Sequence, residues 1–167
     1  MKHLFQVFTW ALILLIFGSC AREETKVFSS IDEMVADAKL KTEFISAADF
    51  KTVLESGEKI YIIDCREESE YDSSCIKNAI NVPRGLLEFQ IGSKVDDRRG
   101  DVYLYCSDGK RSTLAATVLP KMKFASVKVI EGGFDNWVNQ FPDLVQLHPA
   151  GETTKKKPAA SSGGCGG

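Results

Sequence analysis

The chain has 167 residues, 44% of them hydrophobic and 26% charged, a length and composition that hold one packed domain and exclude a multidomain machine or wholesale disorder. A formal charge of -2 and a pI near 5.7 give no basic field over the chain, which argues against nucleic-acid binding as its main activity. Its five cysteines, Cys20, Cys65, Cys75, Cys106 and Cys165, are an odd set without a Cys-x-x-Cys pair, so they suggest neither a zinc site nor a dense disulfide framework, and at least one is expected to carry chemistry.

Met1, Lys2 and His3 make a short basic start, followed by an apolar run from Leu4 to Phe17 and then Gly18, Ser19 and Cys20. Residues 1–19 read as an export signal. About 16 apolar residues rise only ~24 Å as a helix, short of the ~30 Å hydrocarbon core, so removal is favoured over an uncleaved anchor. Small residues before a cysteine resemble the bacterial lipobox, with Phe17 where leucine is usual. That resemblance implies lipidation of Cys20; an ordinary cleavage site near it is the alternative. With Lys2 ahead of the apolar run, the positive-inside bias places the body outside the cytoplasm, in the bacterial periplasm and tethered to the membrane if Cys20 carries lipid. Residues 20–167 then hold 20 basic and 23 acidic residues, a formal charge of -3.

Residues 20–42 are a linker ending in an amphipathic helix, with Ile31, Met34, Val35 and Ala38 at helical spacing within Val27 to Lys41. Ser46 opens a second helix with Phe50, Val53 and Leu54 on one face and Gly57 as its stop. Strands are expected at Ile60 to Asp64, Ala79 to Val82, Val102 to Tyr105 and Val127 to Ile130, the second closed by Pro83 and the last by Gly132 and Gly133. Helices are expected from Thr113 to Leu119, stopped by Pro120, and from Phe134 to Phe141, with Trp137 inward. Short strands alternating with helices are the pattern of an α/β fold with a mainly parallel central sheet flanked by helices, here over residues 43–148. Residues 149–167, with three consecutive lysines and a Gly/Ser-rich end holding Cys165, read as a disordered tail.

The segment richest in chemistry is Tyr105-Cys106-Ser107-Asp108-Gly109-Lys110-Arg111-Ser112, between a strand and a helix expected to start near Ser112. Ligands bind outside the carboxyl ends of strands in open α/β sheets, which is where Cys106 falls. Unpaired N–H groups at the following helix start, a curl permitted at Gly109 and the charge of Arg111 suit an anion, and they favour a reactive thiolate at Cys106 over an inert buried cysteine.

Several runs agree, in order and spacing, with one family. Asp64-Cys65-Arg66-Glu67, Glu70-Tyr71, Ile76 and Ala79-Ile80-Asn81-Val82-Pro83-Arg84-Gly85 resemble the first signature of the rhodanese domain. The Cys106 to Ser112 segment, Ala115-Ala116, Val129-Ile130-Glu131-Gly132-Gly133 and Trp137 resemble the rest. The resemblance implies a three-layer rhodanese-like fold and a sulfurtransferase. Cys106 would take the sulfane sulfur of thiosulfate, a polysulfide or a persulfide, hold it as a persulfide and pass it to a thiol or a cyanide-like acceptor. Ser107, Asp108, Gly109, Lys110, Arg111 and Ser112 would cradle it, with Arg111 and Lys110 drawing in the anionic donor, and neither a metal nor an organic cofactor is called for. Four residues separate Cys106 from Arg111, the rhodanese loop length, whereas the related cell-cycle phosphatases have five. A persulfide carrier for a membrane partner and a phosphatase or arsenate reductase on the same fold are the alternatives.

This sequence departs from the family pattern at Ser74-Cys75-Ile76, where Gly-His-Ile is common, at Asn78 for a glycine and at Cys65 for a valine. Asp64, Arg66 and Glu70 are expected to form a structural polar set at a strand end, and Arg84 to anchor a turn or reach the site mouth. Cys65 and Cys75 are expected to be buried apolar residues, with a disulfide between them open in an oxidising compartment. A sulfur-accepting or protective role for Cys165 is likewise open. The oligomeric state is not legible.

Overall fold

The computed structural model describes residues 26–148, so the expectations for residues 1–19, for Cys20 and for the tail with Cys165 fall outside the described residues. Residues 26–30 belong to a unit separate from the body that begins at Ile31, and these five contain no helix or strand. Among the described residues no helix is long and apolar enough to cross a membrane.

The body opens with α1 (Ile31–Lys39), which buries Val35 and Ala38 of the expected stripe and leaves Ile31 and Met34 exposed. β1 (Glu43–Ile45) follows, and α2 (Ala47–Ser56) is capped by the Ser46 side chain accepting from Asp49 N and closed by Gly57 in the left-handed region. Next come β2 (Ile60–Asp64), α3 (Glu68–Tyr71), β3 (Ser74–Ile76) and β4 (Ile80–Asn81). A 3-10 turn at Arg84–Leu86 leads into α4 (Leu87–Lys94), then β5 (Asp101–Tyr105) and α5 (Lys110–Ala116). A second 3-10 turn, Leu119–Met122, precedes β6 (Ser126–Ile130), α6 (Gly133–Gln140), a last 3-10 turn and β7 (Val145–Leu147).

Five strands form one parallel sheet in the order β1-β6-β5-β2-β4, while β3 and β7 make a separate antiparallel pair. The mainly parallel, helix-flanked sheet is thus present. Its central strands β2 and β5 are buried after their first residue, as both faces of a parallel sheet must be. Successive side chains point to opposite faces. Tyr61, Ile63, Cys65, Val102, Leu104 and Cys106 pack on one side with Leu87, Ile91 and Ala115; Ile62, Tyr103 and Tyr105 pack on the other with Phe50, Phe134 and Trp137. The result is helix, sheet, helix, with Cys106 leaving the middle layer at the carboxyl end of β5.

Three sequence expectations need adjustment. The helix expected over Thr113 to Leu119 starts three residues earlier, at Lys110, because Gly109 at φ 91° turns the chain directly into it. Pro120 lies within the second 3-10 turn, where its missing N–H costs no helical bond. Cys65 and Cys75 are free thiols, each fully buried but in different core clusters on opposite faces of the sheet, so the open disulfide between them is not formed.

Candidate active site

Cys106 is fully buried at the first position after β5. Its Sγ lies 3.6 Å from Ser112 Oγ and 3.7 Å from Asp108 Oδ1, so a hydroxyl and a carboxylate of its own loop flank the sulfur. Ser112 Oγ is also 3.1 Å from Gly109 O, and Thr113 donates to the same carbonyl through its N–H and its hydroxyl. The turn at Gly109 is thereby locked from inside α5.

The loop is held from outside by α6. Phe134 N donates to Cys106 O at 2.8 Å and Asp135 N to Ser107 O at 3.1 Å. This approach requires Gly133: a Cβ there would stand 2.3 Å from Cys106 O and 2.5 Å from Ser107 O, and the residue has φ 61°. On the sequence Gly133 looked like a strand stop; its function is to let the α6 amides reach the carbonyls that carry the Cys106 loop.

Glu70 is the residue sequence reasoning misplaced. Instead of joining Asp64 and Arg66, its carboxylate takes both ends of the Arg111 guanidinium, accepts from Ser107 Oγ at 2.8 Å and accepts from Glu67 N at 2.9 Å. Arg111 Nη2 also lies 2.9 Å from Ser107 Oγ. The Arg111 contact, followed by the Glu67 and Ser107 hydrogen bonds, outweighs partial burial and holds the Glu70 carboxyl at about 2, well under the usual 4.5. Reciprocally the Glu70 carboxylate raises Arg111, so the pair stays charged. Arg111 acts as a brace between α3 and the loop, its charge balanced by Glu70, rather than as an unopposed attractor for an anion.

Lys110 is placed differently from the sequence expectation, and Arg84 takes the first of its two expected roles. Lys110 Nζ pairs with Asp32 Oδ1 of α1 at 3.0 Å, both side chains more than half exposed, and so is drawn toward α1. Lys110 N donates to Asp108 Oδ1 at 3.0 Å, which removes one amide from the expected cradle. Arg84 pairs with Glu88 in the next turn at 3.1 Å, and its N–H donates to Cys65 O, anchoring the turn after β4.

Asp64 and Arg66 form a buried ion pair, Arg66 Nη2 to Asp64 Oδ2 at 2.6 Å, with Nε bridging both carboxylate oxygens. Arg66 Nη2 donates to Ser74 O, and its guanidinium lies 4.0 Å above the Phe134 ring. Asn81 Nδ2 donates to the carbonyls of Asp64 and Arg66. This set joins β2, β3, β4 and α6 and so supports the site floor. A cleft of about 620 Å³ flanks the loop at Asp108, Gly109 and Lys110, walled by Asp32, Val35 and Lys39; Cys106 is not among its lining residues. Among the described residues no group of three His, Cys, Asp or Glu side chains is placed to hold a metal ion.

Residues 46–140 match the model of the rhodanese-like domain, more than half of the chain. The chain belongs to the rhodanese-like domain family. It is 29% identical over 96 residues to the putative sulfur carrier protein YrkF of Bacillus subtilis, covering 58% of this chain and 51% of that one. It is 30% identical over 99 residues to the thiosulfate:glutathione sulfurtransferase of Saccharomyces cerevisiae, covering 53% of this chain and 71% of that one. A solved Rhodopseudomonas palustris protein, RPA3614, described as a possible tyrosine phosphatase, superposes with a TM-score of 0.59 and 30% identity over 70% of this chain and 94% of that one. The chain spans about half, or less, of the length of several curated relatives it matches. Sulfurtransferase-related relatives at modest identity therefore surround a rhodanese-like domain with a cysteine at the head of its loop.

Proposed function

We propose that this chain is a sulfurtransferase that moves a sulfane sulfur from thiosulfate, a polysulfide or a persulfide to a thiol or cyanide-like acceptor through a persulfide on Cys106. The observation that carries the reading is the position of Cys106, buried at the carboxyl end of β5 under a loop only four residues long before Arg111. A loop of that length matches the rhodanese pattern rather than the longer phosphatase one, which supports sulfur over phosphate as the group transferred. The Cys106 thiolate attacks the terminal sulfur of the donor; with thiosulfate, the S–S bond breaks and sulfite leaves with the electron pair. The remaining loop amides and Ser112 hold the outer sulfur of the persulfide, the acceptor takes it, and the thiolate returns.

The likeness to YrkF supports a second form of the same chemistry, in which the persulfide is carried to a protein partner instead of to a small acceptor. The Gly18-Ser19-Cys20 sequence supports a lipid on Cys20, with the domain tethered outside the cytoplasm. Fatty-acid labelling that survives in Cys20→Ala would refute the tether.

Intact mass of the reduced full chain before and after donor tests the reaction. A cyanide-removable gain of about 32 Da, present in the wild type and absent in Cys106→Ser, is expected for a covalent sulfur intermediate. A stable adduct with negligible transfer to cyanide favours the carrier. No adduct, together with hydrolysis of an aryl phosphate that Cys106→Ser abolishes, overturns the sulfurtransferase reading in favour of a phosphatase.

A further inference from the structure

Of the two other thiols among the described residues, Cys65 follows the strand next to β5. β2 and β5 pair in parallel register from Ile60 with Asp101 to Asp64 with Tyr105, and Cys65 N donates to Tyr105 O at 2.8 Å, so the ladder runs on to bring Cys65 level with Cys106. Neighbouring strands lie about 4.8 Å apart, inside the roughly 4.4–6.8 Å Cα separation that a disulfide spans. Both side chains turn to the same face, since Cys65 and Cys106 share one core cluster, while Cys75 lies in the other. Both are fully buried, and Cys106 is the thiol level with Cys65 on the neighbouring strand.

We infer that Cys65 is a further catalytic residue, a resolving thiol that attacks Cys106 Sγ once that sulfur carries a persulfide and releases the outer sulfur as sulfide. The inference rests on the sulfurtransferase reading of Cys106. The step balances without an outside oxidant: the bond from Cys65 Sγ to Cys106 Sγ forms, the bond from Cys106 Sγ to the outer sulfur breaks, and the proton of the Cys65 thiol goes to the departing sulfur. The outer sulfur is reduced to sulfide as the two thiols become a disulfide, and a small dithiol or a reduced dithiol protein returns the pair to thiols. Burial, followed by the nearness of Cys106, raises the Cys65 thiol far above its usual value, so Cys65 rests protonated and gives up its proton only to the departing sulfur as the new bond forms. With Cys65 in place a loaded domain has two outlets, transfer to an acceptor or discharge as sulfide when no acceptor arrives.

The test uses the full chain, reduced, desalted and kept anaerobic, and treated with thiosulfate in the absence of any thiol. The leaving group is then sulfite, so all sulfide comes from the bound sulfur; polysulfide, removed by desalting before the reading, serves in parallel. The wild type is expected to release about one sulfide per chain, to finish about 2 Da below its reduced mass, and to yield a Cys65–Cys106 linked peptide that dithiothreitol separates. Cys65→Val and Cys65→Ala are expected to keep the added ~32 Da and to release sulfide at least about tenfold more slowly. A persulfide equally long-lived in the wild type and both variants, or a disulfide from Cys106 to another cysteine, overturns resolution by Cys65 and leaves the transferase reading standing. No added sulfur and no released sulfide from any form, with either donor, overturns both.

Discussion

Glu70 grips Arg111 with both carboxylate oxygens, at 2.8 and 2.9 Å, across 41 residues of sequence. The same carboxylate holds Ser107, so one side chain on the short helix α3 braces both ends of the loop over Cys106. Glu70→Gln keeps the shape and removes the charge. Because both side chains are about one-third exposed, solvent screening limits the stability loss to about 1 kcal/mol, read by urea unfolding at neutral pH. The rate of persulfide formation is expected to fall about tenfold, more than stability explains, because the loop geometry loosens.

The same pair has an acid signature. The folded-state value of Glu70, about 2, lies below its ordinary 4.5, so between those values the unfolded chain binds the extra proton and stability rises with pH. The contribution of Glu70 is fully present above about 4.5 and lost as pH falls through about 2. Unfolding curves of the wild type and Glu70→Gln should therefore differ most above 4.5 and draw together toward 2; a constant difference across that range would remove this carboxylate from the acid response.

Gly133→Ala is expected to be severe despite its small size. The new methyl would meet Cys106 O at 2.3 Å on a left-handed backbone, and both atoms it strikes belong to main chain that cannot swing away. A loss of about 2–4 kcal/mol in denaturant unfolding is expected, with Cys106 loading reduced at least tenfold in whatever fraction folds.

Breaking the buried Asp64–Arg66 pair should cost more than breaking the exposed ones. Asp64→Ala leaves the Arg66 guanidinium buried without its carboxylate, a change of about 3–5 kcal/mol. Asp64→Ala with Arg66→Met removes both charges and should recover part of that loss, which a double-mutant cycle in urea measures.

Lys110 separates two views of how a donor anion is drawn in. Its amine is paired with Asp32 on an exposed surface, so Lys110→Ala should leave the thermal midpoint in place and slow loading by thiosulfate no more than about twofold at physiological salt. A tenfold loss that low salt accentuates would put the amine over the anion during loading.

Much of this was legible in the sequence because it is local. Val35 and Ala38 at helical spacing, Ser46 and Gly57 as cap and stop, and the buried runs at β2 and β5 are periodicities and turn preferences that the chain carries within ten residues. So is the loop segment, whose cysteine, glycine and arginine stand within six positions. β1, β3 and β7 were missed because three residues cannot show a period, α3 because its four residues cannot either despite the Glu67–Glu70 capping box, and α4 because its start at Leu86 carries no side-chain cap. Each is stabilised by a partner far along the chain, as when β3 pairs with β7 seventy residues later.

The sequence by itself determined the layered α/β plan and the placement of Cys106 at a strand end, because short-range patterning and residue type decide those. Only the tertiary structure decided that Glu70 belongs to Arg111 rather than to Asp64 and Arg66, that Lys110 turns toward Asp32, that Gly133 is needed for close approach, and that Cys65 lies level with Cys106. Each of these depends on register and on which elements meet, and those follow from the packing of the whole sheet rather than from any one stretch of chain.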